Sequence, residues 1–215
     1  MSTQFIIVRH GESKANKKHL YAGLYDLGLT KNGIKHAKYA VEGLKKRHID
    51  AVYTSPLPRA EVTAMYIAAA KKLPLHVEYD LHEYDFGVYD GKPYNPPQSF
   101  IDEGDEYMVT AYRDFRKWNY KGGESVKKAA YRFKAALEKI AKANDGKTVV
   151  IVSHAAVLAS FATFNCADWD EDKLITKEHV PNASFTFVTY TSGKFDITDY
   201  GNCDHLHGNV VRFKL

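Results

Sequence analysis

Two arginines, two histidines and one glutamate stand out in this chain for where they fall. Arg9-His10 follows the apolar run Phe5 to Val8, Arg59 comes shortly after Ala51 to Thr54, Glu83 after Leu75 to Tyr79, and His154 after Thr148 to Val152. Guanidinium groups present planar forks of N–H donors that match phosphate oxygens and stay charged at any working pH. A neutral imidazole is a nucleophile toward phosphorus, and a carboxylic acid beside it can protonate the departing alkoxide. The set predicts attack on a phosphomonoester, with Arg9, Arg59 and His154 holding the equatorial oxygens and His10 attacking in line. The intermediate is then a phosphohistidine, one hard step divided into two. Glu83 is the expected proton donor, with Asp85 and Asp90 as its nearest rivals. No Asp-rich cage for magnesium is evident, so neither metal nor cofactor is expected.

These side chains meet only if the apolar runs are strands of one sheet. Short apolar runs alternate here with helix-period stretches, the pattern of an α/β sheet, and ligands of such sheets bind outside the carboxyl ends of the strands. The expected fold is a three-layer α/β sandwich: a central, mostly parallel sheet flanked by helices. One helix is predicted over 30–47, with Thr30 as N-cap and Ile34, Ala37, Val41 and Leu44 on one face. A second starts near Pro56 and continues through Ala60, Ala64, Ile67 and Ala68. A third carries Val126, Ala130, Phe133, Leu137 and Ile140, and a closing hairpin joins 185–190 to 195–198 across Ser192-Gly193. Residues 91–123 break the rhythm. Pro93, Pro96 and Pro97 precede an amphipathic pattern of Met108, Ala111, Tyr112, Phe115 and Trp118, which reads as a small helical lid inserted in a single domain over 1–215.

Composition agrees with a small-anion enzyme and excludes several other classes. The chain has 215 residues, 45% hydrophobic and 26% charged, an ordinary globular composition. Thirty Lys plus Arg against 26 Asp plus Glu leave a net charge of +4, far short of a nucleic-acid binder. No apolar run reaches the roughly 18 residues of a membrane span, since Val149 to Phe164 is broken by Ser153, His154 and Ser160. The opening MSTQFIIVRH has no basic residue before its apolar stretch and does not read as a secretion signal. Cys166 and Cys203 form no close-spaced pair, so neither a disulfide framework nor a zinc knuckle is indicated. The expectation is a cytoplasmic protein with a small phosphorylated partner and neither nucleic acid nor membrane. The sequence does not set an oligomeric state.

At the level of motifs the chain resembles the histidine phosphatase superfamily, the phosphoglycerate-mutase-like proteins. The resemblance rests on Arg9-His10-Gly11-Glu12-Ser13 with Asn16, on Leu29-Thr30 with Gly33, and on Ser55-Pro56-Leu57 with Arg59-Ala60 and Thr63-Ala64. It continues through Leu81, Glu83, Phe86-Gly87 and Asp90-Gly91, then Gly123-Glu124-Ser125 and Val152-Ser153-His154. It implies His10 as the phosphorylated nucleophile, Glu83 as proton donor, and a phosphate pocket of Arg9, Asn16, Arg59 and His154. Ala155-Ala156 stands where relatives usually have glycine, and the amide of Ala155 is expected to serve the phosphate in its place. Gly23 lies where relatives often touch substrate.

The same constellation serves a phosphatase or a mutase. Glycolytic mutases of the family follow the glutamate with a basic stretch and carry Trp before the asparagine, whereas here Asp85 adds negative charge and Ala15 takes the Trp position. Both departures favour a phosphatase, with phosphoglycerate mutase activity as the alternative and a catalytically weak or phosphotyrosine-directed protein as a third class. Aromatics crowd the stretch from Tyr84 to Tyr120, and at least one, Tyr84 among them, is expected against the leaving group; packing within the lobe is the competing explanation. His205 and His207 would face one way on a strand, but no ligand cluster completes a metal site, so a hydrogen-bonding role is expected. Cys166 reads as a small buried hydrophobe.

Overall fold

The computed structural model describes residues 1–93, 115–117, 119–166 and 180–210. Its six strands are β1 (Thr3–Arg9), β2 (Ala51–Thr54), β3 (Leu75–Val77), β4 (Thr148–Ser153), β5 (Phe185–Thr191) and β6 (Lys194–Asn202). They form one sheet in the order β3-β2-β4-β1-β5-β6. The first four in that order are parallel; β5 joins β1 antiparallel, and β6 completes the sheet as the second strand of a hairpin with β5. β1 and β4 lie side by side with Arg9 opposite Ser153, so His10 and His154 leave neighbouring strands at the same level.

Alternation along β1 and β4 splits the core. A four-residue helix, α1 (Lys14–Lys17), follows β1; Ile6, Val8, Val150 and Val152 then bury one face of the sheet against helices α2 (Lys31–Leu44) and α3 (Pro58–Lys71). Phe5, Ile7, Val149 and Ile151 bury the other against α4 (Val126–Ala143) and α5 (Ala155–Asn165). Each such side chain contributes about 1.5–3 kcal/mol relative to exposure, which is why unbroken apolar runs belong in strands covered on both faces. The three layers are those expected from the sequence.

Local signals account for most boundaries. Thr30 caps α2 by accepting from the Gly33 amide, and Ser125 caps α4 by accepting from that of Lys128. The second helix starts later than the sequence indicates: Pro58, not Pro56, occupies its first turn, and Leu57 offers no capping side chain. β3 ends at Val77, and a 3-10 turn over Tyr79–Leu81 follows. Ser192 and Gly193 both have positive φ, the backbone that a two-residue hairpin turn requires. The lid expected over 91–123 lies mostly outside the described residues, which there show a bridge between Leu20 and Pro93 and a 3-10 turn at Phe115–Lys117.

Candidate active site

His10 is the first residue beyond β1 and is buried. Its Nδ1 lies 2.7 Å from the carbonyl oxygen of Gly11. A carbonyl only accepts, so Nδ1 carries the proton and Nε2 keeps its lone pair. Burial, then the charges of Arg59 and Arg9, hold the imidazole well below the usual histidine range, so it is neutral at pH 7. The position, tautomer and charge are those of a nucleophile.

The His154 ring faces it, with centroids 5.1 Å apart and planes inclined by 56°. His154 ends β4 and leads into α5, and burial, followed by Arg59 and His10, pushes its pKa down as well. Ser55, directly after β2, holds Nε2 at 2.7 Å. The Ser55 hydroxyl also accepts from the Leu57 amide at 3.3 Å, and its own proton can be given to His154 Nε2. With that direction the imidazole proton sits on Nδ1, a buried atom with no partner among the described residues. It is a donor available to an anion.

Two guanidiniums flank the histidines. Arg9 donates from Nη1 to the carbonyl of Val180 at 2.5 Å; burial pulls its pKa down to about 10, with the charge of Glu83 acting the other way. Arg59 differs from the open fork its residue type leads one to expect. Nη1 is committed to Asp26 at 2.8 Å and the Tyr25 carbonyl at 3.2 Å, and Nη2 to the carbonyls of Ala22 at 2.8 Å and Gly23 at 2.9 Å. Only its Nε is without a partner among the described residues. The loop that takes the fork is itself held by Asp90, whose two oxygens accept from the amides of Gly23 and Tyr25, each at 2.7 Å. Gly23 is needed because a Cβ there would lie 2.0 Å from the Tyr84 carbonyl oxygen. Gly23 thus serves the Arg59 loop.

Glu83 follows the 3-10 turn and is buried. Its Oε1 accepts from the amides of Tyr84 at 3.0 Å and Val157 at 2.7 Å, and Oε2 from that of Ala156 at 3.0 Å. The carboxylate therefore caps α5, whose leading N–H groups have no partners within the helix. Both lone pairs of Oε1 are occupied, so Oε2 has the one left to hold a proton. The rivals are otherwise engaged: Asp90 holds the loop, and Asp85 Oδ1 accepts from the Gly87 amide at 2.9 Å. With Ala156 and Val157 bound to Glu83, the N–H of Ala155 remains as the leading donor of α5 beside His154.

Asn16 is oriented by its neighbours. Its Oδ1 accepts from the Ser13 amide at 3.1 Å and from Nδ2 of Asn182 at 3.2 Å, so its own NH2 is turned the other way. Asn182 is fully buried and also donates to the His10 carbonyl at 3.0 Å. Sequence reasoning passed over Asn182 and Asp26, which act on other side chains and stand in segments without periodicity.

One expectation is corrected. Tyr84 does not face a substrate: it is buried, its hydroxyl pairs with Ser160 of α5, and its ring packs in a core with Tyr21, Phe86, Tyr89 and Tyr120. Phe86 and Tyr120 meet edge to face at 4.7 Å, so the described rings of this stretch are core. The side chains of Tyr94, Phe100, Tyr107, Tyr112, Phe115 and Trp118 lie outside the described residues. His205 sits on a 3-10 turn and not a strand; its Nε2 meets the Ala183 carbonyl at 2.9 Å and its ring stacks on Phe185 at 3.9 Å. Cys166 is half-buried, with its thiol pushed up to about 12 by burial.

Comparison with known proteins bears on this geometry. A model of the histidine phosphatase superfamily, branch 1, matches residues 5–203. The chain belongs to that superfamily. It is 36% identical over 158 residues to phosphoserine phosphatase 1 of Hydrogenobacter thermophilus, covering 70% of each chain. It is 32% identical over 211 residues to the metal-independent phosphoserine phosphatase of Arabidopsis thaliana, covering 95% of this chain and 83% of the other. The structure of Bacillus stearothermophilus YhfR superposes with a TM-score of 0.83 at 25% identity, over 95% of this chain and 99% of that one. This histidine phosphatase is accordingly an enzyme of the phosphatase class, with the family's mutases as its alternative. No helix among the described residues is long and apolar enough to cross a membrane.

Proposed function

We propose that this histidine phosphatase is a metal-independent phosphomonoester hydrolase that works through a phosphohistidine on His10. The observation that carries the proposal is the His10 ring itself: Nδ1–H fixed by the Gly11 carbonyl, Nε2 open, and the whole group neutral beside two guanidiniums. The phosphoryl oxygens are received by Arg9, Nε of Arg59, the NH2 of Asn16, Nδ1–H of His154 and N–H of Ala155. Nε2 of His10 attacks phosphorus, the bond to the leaving oxygen breaks, and Oε2 of Glu83 supplies the proton that this oxygen takes up. Water then attacks the phosphohistidine, its proton passes to Glu83, and inorganic phosphate and neutral His10 are released. Both named phosphatase relatives carry phosphoserine in their names, so O-phosphoserine is the first substrate we assign. The two cysteines are free, and the reducing cytoplasm is the compartment we assign.

The test is turnover without added metal, following free phosphate from O-phosphoserine, p-nitrophenyl phosphate, a phosphotyrosine peptide and 3-phosphoglycerate, and following 2-phosphoglycerate as well. Phosphate release from O-phosphoserine, with alkali-stable and acid-labile labelling of the protein that His10→Ala abolishes, is the expected result. Rapid isomerisation of 3-phosphoglycerate with little free phosphate would make the protein a mutase. Undiminished labelling of His10→Ala would remove the phosphohistidine mechanism.

A further inference from the structure

We propose that Arg132, in the second turn of α4, is a positioning residue for Glu83. The proposal rests on the reading of Glu83 as proton donor and concerns what holds that residue in place. The segment around Glu83 belongs to no strand, so its main chain needs partners from elsewhere. Arg132 supplies them. Its Nη1 donates to the carbonyls of Asp80 at 2.7 Å and His82 at 3.0 Å, and its Nη2 to the carbonyl of Glu83 at 3.3 Å.

The other edge of the guanidinium pairs with Glu124, Nη2 to Oε1 at 2.5 Å and Nε to Oε2 at 3.4 Å. Glu124 grips the same segment just past Glu83. Its Oε1 accepts from the Asp85 amide at 3.3 Å, and its own amide donates to the Asp85 carbonyl at 3.0 Å. One ion pair, with side chains 11% and 5% exposed, thus fixes the chain on both sides of the proton donor, the cation by carbonyls and the anion by an amide. Arg132 touches neither the carboxyl of Glu83 nor any phosphate-facing atom named above. Its effect is indirect: a shift of this segment swings the Glu83 carboxyl off the amides of Ala156 and Val157. Lysine retains the charge but not the planar set of donors that reaches these acceptors together.

A position for the proton donor matters only where the leaving oxygen needs a proton, and this separates positioning from general stability. The measurement is kcat/KM for O-phosphoserine, a poor leaving group, and for p-nitrophenyl phosphate, a good one, on the same preparation of each variant. Their ratio is unaffected by a fraction of unfolded protein. Glu83→Gln sets the reference signature. Arg132→Lys, and the neutral pair Glu124→Gln with Arg132→Gln, are expected to lower the ratio by about 10-fold or more, in the direction of Glu83→Gln. An unchanged ratio in both, while Glu83→Gln lowers it, overturns the role of Arg132 and leaves that of Glu83 standing. An unchanged ratio in Glu83→Gln removes Glu83 as proton donor, and the positioning role falls with it.

Discussion

Arg59 and Glu83 are held by opposite means. The cation is gripped by carbonyl oxygens and Asp26, the anion by three main-chain N–H groups. Each is over-determined until little is left to act, the N–H of Arg59 Nε and one lone pair of Glu83 Oε2, whose other holds the Ala156 amide. The difference lies in what remains when the functional partner is removed. Loss of Asp26 strands a buried guanidinium, whereas loss of the Glu83 charge strands only neutral amides. On the proposed mechanism, Arg59 is therefore tied to the stability of the fold and Glu83 to the rate.

The sharpest way to break this contrast is Asp26→Ala. It should cost about 3–5 kcal/mol in denaturant unfolding, because Arg59 and Asp26 are 1% and 6% exposed, and it should weaken phosphate and vanadate inhibition. A loss below about 1 kcal/mol would mean that the loop carbonyls alone satisfy Arg59. Glu83→Gln should lose about 10²–10⁴-fold in kcat on O-phosphoserine, much less on p-nitrophenyl phosphate, and only about 1–3 kcal/mol of stability through the Ala156 amide. A stability loss matching that of Asp26→Ala would erase the distinction between the two residues.

Protonation gives a third, gentler handle. Burial lowers the folded-state pKa of His10, His36, His82, His154 and His205. A depressed folded pKa means that the unfolded chain binds more protons, so stability is full above about pH 6.5 and declines as the pH falls below it. The midpoint temperature should fall between pH 7 and pH 5 by scanning calorimetry. A flat profile across that window would mean that these rings are not buried in solution. Smallest of all, Tyr84→Phe should cost about 1 kcal/mol, since Ser160 keeps its bond to the Ala156 carbonyl, and should leave kcat/KM unaltered. A changed KM would put the Tyr84 ring back in the substrate pocket.

What sequence alone revealed follows from which interactions are local. β1 and α4 were legible because the apolar run of the one and the apolar period of the other match the faces they bury; in α2 the buried face is Gly33, His36, Ala37, Ala40 and Leu44, with Ile34 and Val41 only half-buried, and Thr30 and Ser125 mark the helix starts. α5 escaped, although it carries the amides that hold Glu83. Ala155 to Ala162 are all buried, so the helix has no polar face and no period to read. Arg59 was identified by type, but the destination of its fork depends on a loop more than 30 residues earlier in the chain folding back across the start of α3. Aromatic content could not separate a cleft from a core, and for the described rings around Tyr84 it was the core.

The pairing of Arg9 with Ser153 has a consequence for how the protein comes into being. Both neighbours of β1, the strands β4 and β5, lie in the last third of the chain. During synthesis Phe5 to Val8 waits unpaired while nearly everything else is made, a short β-forming apolar segment of the kind that sticks to its like. Arg9 and His10, at its very end, put a charge and a polar ring beside that segment through the wait, the position of a gatekeeper. The residues to which the proposed mechanism gives the phosphate then have a use before there is a pocket. His10 and His154 come together only when β1 joins β4, a closure that brings Gln4 opposite Thr148 and is exceeded in the sheet only by the pairing of β1 with β5.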